Sequence, residues 1–95
     1  MSTHVVNLSW TASTDAVNGY NVYESVNAPG TEAPPALNGT TLVTGTTYAA
    51  TVPSPGIYNF IVKAVENGAE SVASNEVSAT VLPFPPTALV VTSIV

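Results

Sequence analysis

The chain has no cysteine, and Lys63 is the single basic side chain among its 95 residues. Without cysteine there is no disulfide framework, no thiolate zinc site and no thiol nucleophile. One cation against six acids leaves a net charge of −5, which argues against nucleic acid and anionic membrane surfaces, whose phosphates are met by Lys and Arg. Lacking arginine, the chain cannot carry an Arg-Gly-Asp adhesion signal. Charged residues make up only 7% of the chain, against about a quarter in ordinary soluble domains. Apolar residues reach 45%, too many for a disordered segment. No stretch has the length of a membrane span, and none has a helical apolar period.

What is present is a strand pattern. Val, Thr and Ala dominate, eight prolines punctuate, and apolar residues alternate with polar ones between turn signals. From His4 to Trp10 the alternation puts Val6, Leu8 and Trp10 on one face. Asn18-Gly19 closes a turn-forming stretch, and Tyr20–Glu24 follows with Tyr20 and Val22 inward. Pro29, Gly30, Pro34 and Pro35 make Ser25–Asn38 a loop. A short edge strand is expected at Thr40–Val43, and a fuller one at Thr46–Val52 with Tyr48, Ala50 and Val52 inward. After the Pro53–Gly56 corner, Ile57–Glu66 presents Tyr58, Phe60, Val62 and Ala64 on one face. Its other face, with Ile61 and Val65, is more apolar than a wet face should be; with Tyr23 it suggests a half-buried surface patch. Asn67-Gly68 turns the chain into a last body strand, Ser74–Leu82, with Val77, Ala79 and Val81 inward. About seven short strands at this spacing predict one all-β domain, an antiparallel β-sandwich.

Leu8-Ser9-Trp10 followed by Gly19-Tyr20-Asn21-Val22-Tyr23 resembles the second and third strands of a fibronectin type III domain. Pro55-Gly56-Ile57-Tyr58-Asn59-Phe60-Ile61-Val62-Lys63-Ala64-Val65, then Ser74-Asn75-Glu76-Val77-Ser78, extends the resemblance over most of residues 5–82. It implies that Trp10 is the central core indole. It also implies that Tyr58 is a tyrosine corner, its hydroxyl bonded to backbone near the preceding turn. Tyr20, Val22, Phe60 and Val62 complete the implied structural core.

The ends depart from that pattern. Family members open with a proline and an apolar first strand, for which the nine residues before Trp10 leave no room. Pro86-Thr87-Ala88-Leu89-Val90-Val91-Thr92, at the other end, resembles that opening strand. The expected organisation is a sandwich body at 1–82, a proline-rich linker at 83–86 and a donor strand at 87–95. In this topology the first strand starts at the pole opposite to the end of the last. The Leu82–Pro86 linker, about 16–18 Å when extended, is too short for a strand length of about 20–23 Å plus a crossing. Donation in trans is therefore expected, with Thr87, Leu89, Val91 and Ile94 entering a groove beside Val6 and Leu8 of a recipient.

No constellation of residues announces a chemistry. His4, Asp15 and the serines lack a nucleophile elbow or an oxyanion loop. The acids are scattered, without the alternation of a calcium loop, so neither a metal nor another cofactor is expected. Asn7-Leu8-Ser9 and Asn38-Gly39-Thr40 match the glycosylation pattern by chance, the first lying inside a strand. The opening residues run directly into a strand, so a signal peptide is not expected. The chain is either assembled inside a cell, as virion proteins are, or is a processed piece. The expectation is a non-enzymatic, self-assembling structural subunit of a filament, ring or virion (phage capsid decoration or tail), or of a surface appendage. Its partners would be copies of itself or other proteins of the assembly, in a virion or at the cell surface. The rival is a spacer or adhesion module from a larger secreted tandem-repeat protein.

Overall fold

Two antiparallel sheets form because the alternating strands each have one apolar face to cover. The computed structural model describes residues 3–95; Met1 and Ser2, the first two residues of the expected body, lie outside it. Strand β1 (His4–Ser9) pairs with β3 (Thr47–Val52), setting Val6 opposite Ala50 and Leu8 opposite Tyr48. In the second sheet β2 (Gly19–Val26) and β6 (Val77–Val81) flank β4 (Gly56–Glu66), whose far end also pairs with the two-residue β5 (Ala69–Glu70). The described residues contain no helix. This all-β arrangement is compatible with a β-sandwich.

Val22, Ala50, Val52, Tyr58 and Phe60 form the buried core, with Val6, Leu8, Trp10, Tyr48, Val62, Ala79 and Val81 packed around it. The Tyr58 ring is buried, and its hydroxyl donates to the Ser54 carbonyl at 2.6 Å, fixing the corner that enters β4. At the far end of β4, Asn67 and Gly68 both have positive φ, 50° and 83°, the geometry of a two-residue primed turn. Gly19 is required by close approach: a Cβ there would stand 2.7 Å from the Cβ of Leu42 and 2.8 Å from the Val43 carbonyl.

Three strand expectations change. Thr40–Val43 is reduced to a single bridge between Val43 and Tyr20. The Asn38 side chain takes over the next rung of the β2 edge, its Oδ1 accepting from the Val22 N–H at 2.8 Å. Ser74–Leu82 shrinks to Val77–Val81, because between β5 and β6 serine side chains complete the ladder. Ser71 and Ser74 donate their N–H groups to Ala64 and Val62, and their hydroxyls accept the N–H groups of those same residues. Thr87–Val95 forms no strand, since a strand with no neighbour has no ladder.

The outer face of the larger sheet is unevenly covered: Tyr23 and Val65 are only 6% and 7% exposed, whereas Ile61 is half-buried as expected. Tyr23 donates its hydroxyl to Glu70, and the Lys63 ammonium lies 5.4 Å from the centre of its ring. Farther along, the loop after β2 is tied down by the Gly30 N–H, which donates to Glu76 at 2.7 Å. Beside that bond, burial pushes the Glu32 carboxyl above the ordinary value of 4.5, and its hydrogen bond with Glu76 adds to the rise. The same bond holds Glu76 below 4.5, with help from Gly30.

Two outcomes follow from this packing. Phe60→Ala empties the centre of the core and is expected to cost about 3–5 kcal/mol in urea unfolding, whereas Tyr58→Phe should cost about 1 kcal/mol, one hydrogen bond. A carboxyl raised on folding adds stability that is complete below its unfolded value and is lost as pH rises through its folded value. As pH rises above the ordinary carboxyl value of 4.5, the raised Glu32, and Glu24, which burial also raises, should therefore cost the native chain stability as they ionise. Glu32→Gln should flatten that slope, as urea midpoints measured across the range would show.

Candidate functional site

The two sheets are unequal in width. The larger sheet has three strands side by side, β2, β4 and β6, facing a sheet of only two, β1 and β3. On one flank, the segment Leu37–Val43 shields the structure: Leu37 donates to the Val22 carbonyl, and the Tyr48 hydroxyl donates to the Leu37 carbonyl. On the other flank β1 is the edge, with β3 as its one strand partner. Its side chains alternate as expected, Val6 and Leu8 inward and half-buried, Val5, Asn7 and Ser9 outward and exposed.

An opening of about 360 Å³ lies at this edge, lined by Leu8 and Trp10 on one side and by Phe60, Val62 and Val77 on the other. Val77 is in register with the buried Phe60, on the core side of β6, yet it is 43% exposed. It lacks cover because no third strand stands beside β1. Trp10 is displaced from the central position implied for it. Its ring packs edge-on to Tyr20 at 5.5 Å between centroids, but it stands half-buried at the rim of the opening. Its indole N–H is buried with no hydrogen-bond acceptor.

The tail is the second element the sequence singles out. The His4 and Phe84 rings stack at 4.0 Å with 15° between their planes, which fixes the linker at the pole where β1 begins. Beyond it Leu89, Val91 and Ile94 are 94%, 77% and 90% exposed, and Thr87 is exposed as well. Ala88 has a φ of 55°, a left-handed bend that an extended strand would have to straighten. Thr87, Leu89, Val91 and Ile94 thus stand exposed, away from Val6 and Leu8 of the same chain. The chain is 71 Å long and 24 × 21 Å across.

The described residues contain no cluster of three His, Cys, Asp or Glu side chains placed to hold a metal. Asn7 is exposed on β1, whereas Asn38 is committed to Val22, Asn21 and Thr41. Of the two expected groove residues, Leu8 lines the opening and Val6 does not, and sequence reasoning missed Val77, Trp10 at the rim and the His4–Phe84 stack. The available signal for Val77 was its core-facing position on a strand with nothing assigned to cover it. No family model, no curated protein and no solved structure matches this chain.

The geometry bears on stability as well. Leu89 makes no packed contact to lose, so Leu89→Asp should shift the urea midpoint of the isolated chain by no more than about 0.5 kcal/mol, as for other exposed sites.

Proposed function

We propose that this chain is a fibronectin-III-like sandwich lacking its first strand, and that it serves as a non-enzymatic structural subunit by donating Thr87–Val95 to a second copy. The observation that carries the reading is the pairing of two unmet needs in one chain. One is an opening beside an edge strand, walled by Leu8, Trp10 and Val77 together with the polar Ser9, Ser74 and Asn75; the other is an apolar tail held outside its own body.

An added strand beside β1 would pair the backbone groups of that edge and cover Val77, joining subunits by β-augmentation. Burial of Leu89 and Val91 would contribute about 1.5–3 kcal/mol each before the cost of ordering the tail. The linker is anchored at Phe84, at the start of β1, while a first strand antiparallel to β1 must begin at its Ser9 end. Supply from another molecule meets this condition without a crossing. Assembly of this kind suits a filament, a ring or a virion part (capsid decoration or tail), or a surface appendage, and requires no cofactor.

Size-exclusion chromatography with light scattering tests the reading. The full chain should be oligomeric or polymeric, and Leu89→Asp should be monomeric yet folded by circular dichroism. A chain ending at Leu82 should be less stable than the assembled protein and should be rescued by a Pro85–Val95 peptide, with Trp10, the sole tryptophan, reporting the binding by fluorescence. A full chain that stays monomeric at high concentration would instead identify a spacer module and refute strand donation.

A further inference from the structure

Resting on the strand-donation reading, we infer that the tail enters antiparallel to β1 with Leu89 opposite Leu8 and Val91 opposite Val6, so that copies join head to tail as an open polar filament. The polarity of the added strand decides the architecture. The tail leaves its own body at the His4 pole, where Phe84 is stacked. A strand antiparallel to β1 enters the next body at the Ser9 pole, so unlike poles meet. That contact is heterologous and can repeat without end. A strand parallel to β1 would enter at the neighbour's His4 pole, so like poles would meet. Two tails would then be exchanged about a two-fold axis and growth would stop at a dimer.

Antiparallel entry is favoured on three grounds. The sheet to be extended is already antiparallel, and antiparallel ladders are the more stable per residue. The opening lies at the Leu8–Trp10 end of β1, where an antiparallel tail places its first large inward residue, Leu89. In this register Val91 reaches Val6 and Ser93 reaches the half-buried His4, while Ala88, Val90 and Thr92 fall on the exposed face with Ser9, Asn7 and Val5. Ile94 breaks the alternation and lies past the end of β1.

The direction of the tail selects a filament over a ring. A ring of few members needs a large bend at each joint. The whole molecule, tail included, fits a cross-section of 24 × 21 Å over its 71 Å length, so the tail continues the long axis of the body. Pro83, Pro85 and Pro86 keep the connection extended. Successive bodies therefore follow one another along a line.

Because the chain has no cysteine, two engineered pairs at exposed positions read the polarity. Directly opposed strand residues are about 4.5–5.5 Å apart at Cα, within disulfide reach. Ser9→Cys with Ala88→Cys should, under an added oxidant, give a ladder of covalent multimers on a non-reducing gel. Val5→Cys with Ala88→Cys should give none. Electron micrographs of the unmodified chain should show linear filaments, which keeps the test independent of either substitution. Cross-linking of the Val5 pair that stops at a dimer, or closed rings in the micrographs, would overturn this inference while leaving strand donation standing. A monomer by light scattering with neither pair joined between molecules, or with a disulfide closed inside one chain, would overturn strand donation itself.

Discussion

The constraint on which the structure depends is the unpaired edge of β1. A strand's backbone groups and its inward side chains need cover together, and in the body only β3 supplies any to β1. The consequence reaches across the core. Val77 is turned toward the opposite sheet and finds no strand there, so a residue in register with the best-buried phenylalanine is left open to solvent. Trp10 shares the deficit from the other side, half-covered and with an indole N–H that has no acceptor. All three features sit at the edge of β1 that has no strand beside it.

The opposite flank shows how the same need is met without a strand. Loop residues 37–43 run along β2, and Asn38 stands in for backbone with its side-chain amide. The serines at 71 and 74 do the same between β5 and β6. These substitutions use short polar side chains that reach the backbone directly, which suits a chain with little charge. Beside β1 there is no such stand-in among the described residues. The edge is therefore left to whatever can approach it from outside, and an apolar tail is chemically suited to do so.

Much of the body was legible because it rests on local rules. Alternation located β1, β3 and β4 and their inward faces, and the Asn67-Gly68 dipeptide located a turn whose two residues both have positive φ. The corner at Tyr58 came from the resemblance, and its hydroxyl does reach the Ser54 carbonyl four residues back. What was not legible depends on distant segments. The outer face of β4 read as too apolar for solvent, but the partner that closes over it at Tyr23 could not be read, since Glu70 lies 47 residues away. The central place expected for Trp10 assumed a complete sandwich around it. Alternation put Leu8 on the inward face of β1, where it lines the opening, whereas the other wall required knowing that β6 has nothing above it.

On the proposed reading, incompleteness links folding to assembly. A body of this size stands only a few kcal/mol above unfolding, and the cover withheld from Leu8, Trp10 and Val77 is a sizeable part of that margin. An arriving strand would add to the recipient's stability at the moment it joins two molecules. The donor gives up little, because its tail packs against nothing of its own beyond Phe84. Since each copy carries both the need and the means, every addition would leave one new open edge at one end and one new free tail at the other. Polarity and continued growth then follow from where the linker is anchored, with no further contact required.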